Sequence, residues 1–391
     1  MRIGLLLPDI LTADSYGKGK IFAPLSLAID LANGLVQKGH TVYFYTSSDV
    51  KSDAMVIGGN DALLKKDIVY ERAKNLDETA KKWRTDERIK AEFENELTMK
   101  AYQDAIAGKV DIMHSFHNFS AHYFDEITHF PTVYTLHDPL TQTPNTIEYE
   151  RYSLFAKHKY VSISRHQRKS ILSLNFVANI YHGIDLSKYP FVQNGGEDIV
   201  FIGRIVPDKG VDIAIQISLA MKKKLSIATS DNYRQSAYYA KSIAPFEKEE
   251  KVVMHGFFPS DAEKAAFLGK AKAFLFPLQW EEPFGLTMIE SMAVGTPVIA
   301  FARGSVPEIV VDGETGFLVN PSDEDIRGDF LIKKTGREGM KEAVERLYAL
   351  SPEEYAAMRM ASRKRVEEHF TTNHMVSNYE SLYQRILRLH R

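Results

Sequence analysis

Ala273-Phe274-Leu275-Phe276-Pro277-Leu278-Gln279-Trp280-Glu281-Glu282-Pro283-Phe284-Gly285-Leu286-Thr287-Met288-Ile289-Glu290 is the stretch whose reading decides the fold. Ala273 to Pro277 is a short apolar run, the length of a buried strand. Leu278 to Pro283 is a polar loop, and a helix begins near Phe284. A buried strand feeding a helix through a short loop is half of a βαβ unit, which implies a parallel sheet with covering helices.

The same alternation extends both ways. Ile199 to Ile202, Leu225 to Ala228, Val252 to His255, Pro297 to Phe301 and Gly316 to Val319 read as strands, with helical patterns between them. Ser351-Pro352-Glu353-Glu354 is a capping box with proline at the first helical position, so a penultimate helix begins there. Thr372 to Leu389 is the final helix. Towards the N-terminus, Ile3 to Leu7 is a strand and a polar loop, Asp14 to Lys20, follows it. Pro24 then opens a helix that ends at Gly39. Thr41 to Tyr45, Ile112 to Ser115, Thr132 to Leu136, Tyr160 to Ser164 and Asn179 to Tyr181 are further strands. Asp77 to Ala107 is mostly helical and highly charged, hence expected to lie largely at the surface.

With 391 residues, one core is too few. Asn194-Gly195-Gly196 is the best linker. The expected organisation is α/β: two Rossmann-like, doubly wound domains facing across a cleft at the strands' carboxyl ends. They span 1–193 and 197–371.

Bulk properties remove several function classes. The net charge is -2, so no global field draws the chain to nucleic acid, and no nucleic-acid partner is expected. Lys222-Lys223-Lys224 reads as the solvated last turn of a helix. There is no cysteine, which excludes disulfides, thiolate catalysis and Cys-ligated zinc, and suits a reducing compartment. Met1 to Leu7 stops at Pro8-Asp9, too early for a secretory signal, and no apolar run reaches the roughly 18 residues of a spanning helix. A cytoplasmic location is expected.

The chemistry concentrates at strand ends. Arg204 and Lys209 follow the strand Ile199 to Ile202. A planar fork and a point charge together suit a diphosphate. Near Gly285, Leu286 and Thr287 the helix start offers unpaired N–H groups and the positive dipole end to an anion. Gly285 lets that anion approach closely. Glu282 stands before the helix. Glu290 lies inside it, among the apolar Met288, Ile289, Met292 and Ala293. A carboxylate on so apolar a helix needs a partner. The spacing fits two acceptors of hydroxyl hydrogen bonds better than an acid/base pair. Trp280 either stacks on a base or sugar, or packs the loop.

In the first half, Tyr16-Gly17-Lys18-Gly19-Lys20 occupies the position of a phosphate-touching loop, but it matches neither a dinucleotide fingerprint nor a P-loop. His137-Asp138 ends a strand, where a histidine can bond a sugar hydroxyl or move a proton. His114, His117, His122 and His129 raise a metal reading. They lack a zinc helix and a completing carboxylate, so no metal is expected.

Phe201-Ile202-Gly203-Arg204 with Lys209-Gly210 resembles the diphosphate motif of retaining GT-B glycosyltransferases of glycosyltransferase family 4. Glu282-Pro283-Phe284-Gly285-Leu286-x-x-x-Glu290 resembles that family's paired-glutamate signature. Ala293-x-Gly295-Thr296-Pro297-Val298, Gly304-Ser305-x-Pro307-Glu308, Asp312-Gly313-x-Thr315-Gly316 and Gly39-His40-x-Val42 continue the pattern. The resemblance implies an N-terminal acceptor domain, a C-terminal donor domain, and a last helix, 372–391, crossing back to the first. It implies transfer of a hexose from a nucleotide-sugar, UDP-glucose being the commonest, with retained configuration and no cofactor. Arg204 and Lys209 would hold the diphosphate, Glu290 the ribose, and Glu282 the sugar with the amides of Phe284, Gly285 and Leu286. His137 would lie near the donor sugar, and Gly17 and Gly19 near the phosphate. The chain departs from the pattern at Gly17-Lys18-Gly19, at Ala228-Thr229-Ser230 and at Tyr181-His182-Gly183.

The acceptor is left open among a sugar, a small molecule and a lipid-linked species. Lys81, Lys82, Arg84, Arg88 and Lys90 leave weak peripheral membrane contact open too, although interleaved acids favour a solvated face. Rival readings are a GT-B-shaped sugar-nucleotide epimerase, a phosphorylase and a non-catalytic sugar-nucleotide sensor. An NAD-dependent oxidoreductase lacks its fingerprint here.

Overall fold

Buried β-branched and aromatic runs form two all-parallel sheets in the computed structural model, which describes residues 1–20, 22–65, 68–116, 119–138, 143, 145–169, 173–229, 234–258 and 260–390. The chain divides into two compact units. The first comprises Met1–Ile163, Arg168–Ile180 and Thr372–Arg391, and the second Ser164–Gln167 and Tyr181–Thr371.

In the first unit the strands are β1 (Arg2–Leu6), β2 (Thr41–Tyr45), β3 (Met55–Ile57), β4 (Ile112–Phe116), β5 (Thr132–Thr135), β6 (Tyr160–Ser162) and β7 (Phe176–Asn179), in the order β3-β2-β1-β4-β5-β6-β7. The second unit has β8 (Ile199–Ile202), β9 (Leu225–Ala228), β10 (Val252–His255), β11 (Ala273–Phe276), β12 (Val298–Phe301) and β13 (Gly316–Val319), in the order β10-β9-β8-β11-β12-β13. Each first strand pairs on both sides: Leu5 faces Phe44 and His114, and Val200 faces Ser226 and Phe274. The strand order reverses between β1 and β4, and again between β8 and β11. These are the switch points at which doubly wound sheets bind ligands.

Most strands lie where the apolar runs put them. β3 is the exception. It is an edge strand of three residues, none of them fully buried, and so short a run carries no period of its own. The strand expected at Asn179 to Tyr181 lies earlier, at Phe176–Asn179. The capping box at Ser351 and Glu354 is formed, and it starts the helix Pro352–His369.

One expectation is corrected. Asn194-Gly195-Gly196 does not divide the chain but lies inside the second unit. The amide of Gly196 donates to the Lys270 carbonyl at 2.9 Å, and a Cβ at Gly195 would meet the Arg359 guanidinium at 2.5 Å. Those glycines admit close packing; they are not a flexible hinge. The charged helix Glu78–Ile106 is largely surface, as expected, but carries one buried stripe. Ile89, Phe93, Leu97, Ala101 and Ala105 recur at i, i+4 spacing and are buried. Its polar side carries internal ion pairs, Lys81–Glu78, Lys82–Asp86 and Arg88–Glu92.

The last helix, Thr372–His390, is part of the first unit and packs on the helix Ala23–Gln37. Contact is close at Gly34, where a Cβ would meet a Val376 methyl at 2.5 Å. Among the described residues no helix is long and apolar enough to cross a membrane.

Candidate functional site

Two elements at the β8/β11 switch point bring the sequence-predicted charges of the second unit together. β8 leads into the turn Pro207–Lys209, and Gly210 then caps the helix Val211–Ala220. Gly210 has φ +69°, and a Cβ there would lie 2.0 Å from the Pro277 carbonyl oxygen. Only glycine lets this turn sit against the end of β11, and that contact aims Lys209 at the loop carrying Glu282.

Lys209 Nζ donates to Glu282 Oε2 at 2.8 Å, and both side chains are largely shielded from solvent. Trp280 Nε1 donates to the same oxygen at 3.1 Å, and the ammonium stands 4.4 Å from the indole centroid. The tryptophan thus braces the pair from beneath, a cation–π contact added to a hydrogen bond. Glu282 Oε1 has no hydrogen-bond partner among the described residues. Glu282 is therefore anchored through one oxygen and presents the other.

Glu290 repeats the device. It is 7% exposed on the helix Leu286–Ala293. Its Oε1 accepts from Lys264 Nζ at 2.7 Å and from the Tyr189 hydroxyl at 3.0 Å. Burial opposes the charge on Lys264, but Glu290 and Asp261 outweigh it and raise the ammonium's pKa. Burial, then Glu290 and Asp261, push the Tyr189 phenol well up, so it stays a donor. Oε2 of Glu290 takes no hydrogen bond from any described residue. Lys264 and Tyr189 escaped the sequence reading because their link to Glu290 spans 26 and 101 residues.

Gly285 is the N-cap of that helix, with φ +84°, a left-handed conformation that suits glycine. No side chain caps this end, so the first-turn amides of Leu286 and Thr287 stay available to an anion. Phe284 is buried, and its carbonyl accepts from the Ser305 hydroxyl at 2.7 Å, which fixes the loop before the helix. Arg204 is exposed after β8 and makes no side-chain hydrogen bond or ion pair with any described residue.

Glu281 points the other way from its neighbour. It accepts from the Gly304 amide at 2.6 Å and pairs with Arg303 and Arg327, which tethers the loop after β12. Sequence reading passed over it, because two adjacent glutamates carry no sign of which one faces the ligand.

In the first unit, His137 follows β5, its ring 4.4 Å from Phe116. It lines a pocket with Asp138, Asp9 and Glu94. Gly17 ends a short helix, and a Cβ there would lie 2.0 Å from the Leu11 carbonyl oxygen, so this glycine is required by its own loop. Gly19 has φ +77° with nothing within 4 Å of a Cβ position. The histidines do not gather. His114 is fully buried between the hydroxyls of Tyr383 and Thr135, and burial lowers its pKa to about 3. His122 bonds His158 at 2.7 Å; burial, then His158, hold its pKa well below the usual range. His129 closes a helix in the left-handed region, and His117 lies outside the described residues. Among the described residues no group of three His, Asp or Glu is placed to hold a metal ion.

Residues 187–365 match the family described as glycosyl transferases group 1. CapM of Staphylococcus aureus, a capsular polysaccharide biosynthesis glycosyltransferase, is 26% identical over 252 residues, 59% of this chain and 60% of CapM. The chain spans about half the length of the curated relatives it matches. Among solved structures, sucrose-phosphate synthase from Thermosynechococcus elongatus superposes with a TM-score of 0.72 at 18% identity, over 100% of both chains. HepE of Anabaena, solved in complex with UDP-glucose, gives 0.64 at 17% identity, over 97% of this chain and 99% of HepE. Residues 187–365, which carry Lys209, Glu282 and Glu290, thus match the glycosyl transferases group 1, and the chain has the two Rossmann-like domains of the GT-B fold.

Proposed function

We propose that this chain transfers a hexose from a nucleotide-sugar, UDP-glucose first, to an acceptor hydroxyl with retained anomeric configuration. The observation that carries the reading is the half-used glutamate pair. Glu282 and Glu290 are each held through one oxygen by a lysine and leave the other oxygen open. An open carboxylate oxygen accepts from a sugar hydroxyl, and two of them fit the two sugars that flank a diphosphate. That HepE was solved with UDP-glucose supports the choice of donor.

Arg204, Lys209 and the amides of Gly285, Leu286 and Thr287 take the diphosphate, the group that gains charge as the glycosidic bond breaks. Lys209 keeps one N–H on Glu282 and turns the others to phosphate, so the sugar and its leaving group are held by one linked pair. The acceptor oxygen attacks from the face the diphosphate leaves, and a phosphate oxygen takes its proton. These positive groups replace a metal ion in the step, so transfer proceeds in EDTA. The acceptor is a hydroxyl-bearing molecule, free or lipid-linked, and the work is done in the cytoplasm.

Lys209→Ala and Glu282→Ala should each lower kcat/KM for transfer by about 10²–10³, the scale for removing a preorganised charge partner. Their circular dichroism should stay that of the parent. A thermal-shift series with UDP-, GDP- and ADP-sugars should show UDP-glucose raising the Tm most, by mass action. Near-normal turnover in both variants would sink the reading.

A further inference from the structure

The first unit holds a pocket of about 250 Å³ at the β1/β4 switch point. Asp9 follows β1, Thr135 ends β5, and Glu94 and Lys90 reach in from the helix Glu78–Ile106. The far wall is the helix Ile147–Leu154, with Glu148, Arg151 and Tyr152.

Its charge balance is the reverse of what a phosphate needs. Four carboxylates, Asp9, Glu94, Asp138 and Glu148, face two cations, Lys90 and Arg151. The two cations do not balance that surplus. Lys90 Nζ is shared between Asp9 at 3.9 Å and Glu94 at 3.8 Å, and the Arg151 guanidinium lies 4.8 Å from the Phe119 centroid. A diphosphate brought here would meet a surplus of like charge in a shielded site, where screening is weak. The diphosphate therefore belongs to the second unit, and this pocket is left for the other substrate.

The carboxylates are poised for donors. Asp9 is 4% exposed, with Oδ1 accepting from the Leu11 amide at 2.8 Å. Glu94 makes no side-chain hydrogen bond with any described residue; its nearest charge partner is Lys90, beyond hydrogen-bond range. Burial, moderated by Lys90, lifts its carboxyl to about 7. A shielded carboxylate without a donor is costly unless a ligand supplies one. Phe119 and Tyr152, with centroids 6.0 Å apart, add apolar walls of the kind that pack the C–H face of a pyranose.

We propose that this pocket binds the acceptor as an uncharged, hydroxyl-rich sugar ring, with Glu94 and Asp9 accepting hydrogen bonds from its hydroxyls, and that sugars bearing phosphate or carboxylate are excluded. The proposal rests on the transferase reading above and names the class of its second substrate. Glu94 is the specificity-determining residue.

The test uses the full chain and separates the two readings. Methyl pyranosides of glucose, galactose, mannose and N-acetylglucosamine are titrated by saturation-transfer NMR beside the corresponding free sugar 6-phosphates. UDP binding is measured separately by calorimetry. At least one neutral glycoside should bind about tenfold or more tightly than its 6-phosphate partner. Glu94→Gln should weaken the neutral sugar about three- to tenfold and narrow the discrimination, the difference between a charged and a neutral hydrogen-bond acceptor. Equal or tighter binding of the 6-phosphates overturns the proposal. So does an absence of neutral-sugar binding up to about 0.1 M, which lies beyond any useful affinity. Unchanged discrimination in Glu94→Gln overturns the role of Glu94. If neutral sugars bind and UDP does not, the transferase reading falls while the pocket's preference stands.

Discussion

The two units share one strand order and differ in the charges they set at its carboxyl end. In the second unit three glutamates there are tied to cations: Glu282 to Lys209, Glu290 to Lys264, Glu281 to Arg303 and Arg327. In the first unit's pocket carboxylates outnumber cations, and the Glu94 carboxylate takes no hydrogen bond from any described residue. The same contrast runs through the interiors. The second unit buries the guanidinium of Arg359 completely. The first buries an uncharged chain, from Tyr383 through His114 and Thr135 to Tyr379. A common scaffold fixes where ligands bind; charge balance decides which ligand each end accepts.

The largest expected effect tests the charged interior. Arg359 donates to the carbonyls of Val192 at 2.7 Å and of Ala271, Gly269 and Val294 at 3.3 Å, and to the Tyr355 hydroxyl at 3.1 Å. Among the described residues no carboxylate pairs with it, so carbonyl dipoles hold the charge. Arg359→Ala removes those donors and leaves a cavity. It should destabilise the protein by about 3–5 kcal/mol. The chain has two tryptophans, Trp83 in the first unit and Trp280 in the second. In a Trp83→Phe background, Trp280 fluorescence during urea unfolding reads the second unit. A loss below about 1 kcal/mol would break the contrast, since replaceable groups of this kind usually cost no more.

Glu94→Gln probes the unbalanced pocket, and its sign depends on pH. Burial lifts the folded carboxyl from 4.5 to about 7, with Lys90 and Arg151 acting against that rise and Asp9 and Glu87 adding to it. His122, His137, Asp138 and Glu148 line the same pocket. A folded pKa above the unfolded value means stability that is whole below about pH 4.5 and lost as pH rises through about 7. Glutamine carries no such loss. The variant should therefore be more stable than the parent at pH 8 by up to about 3 kcal/mol, with the gain gone by about pH 4.5. Denaturation midpoints across that range decide it. A gain independent of pH would mean that Glu94 is not strained by its charge.

Lys264→Ala sharpens the comparison from the donor side. Lys264 acts through Glu290, so it is a positioning residue. Loosening that carboxylate should raise KM for the nucleotide-sugar about tenfold with little change in kcat, near 1.4 kcal/mol of binding. Lys264→Arg should restore part of it. A fall in kcat with unchanged KM would place Lys264 in the chemical step instead.

How far these features were legible depends on their sequence separation. Strands of the second unit were read to within a residue because buried parallel strands are continuous apolar runs. Glu290 stood out because it is polar inside an apolar helix, and Glu282 because it stands just before that helix begins. Lys264, Tyr189 and Glu94 did not. Their roles come from tertiary neighbours, and within its own stretch of sequence each looks like an ordinary surface or interface residue. The linker failed for a related reason. Gly195 and Gly196 mark a close approach to Arg359 and Lys270, and a glycine pair in sequence does not distinguish tight packing from freedom.

The smallest effect belongs to the uncharged interior. His114 Nδ1 meets the Tyr383 hydroxyl at 2.6 Å and Nε2 meets Thr135 Oγ1 at 2.7 Å, so one ring nitrogen donates and the other accepts. Tyr383→Phe removes one partner and keeps the ring, leaving a single buried nitrogen unsatisfied. The expected cost is about 1–2 kcal/mol. Burial holds the His114 pKa at about 3 in the fold against 6.5. Stability is therefore whole above about pH 6.5 and lost as pH falls towards 3, because the unfolded chain takes up the proton first. Unfolding of Tyr383→Phe at pH 7.5 and pH 5 should show the parent's acid sensitivity with a constant offset. An offset as large as that of Arg359→Ala would mean that the number of bonds lost, rather than the charge they hold, sets the cost, and the contrast between the two interiors would then lose its physical basis.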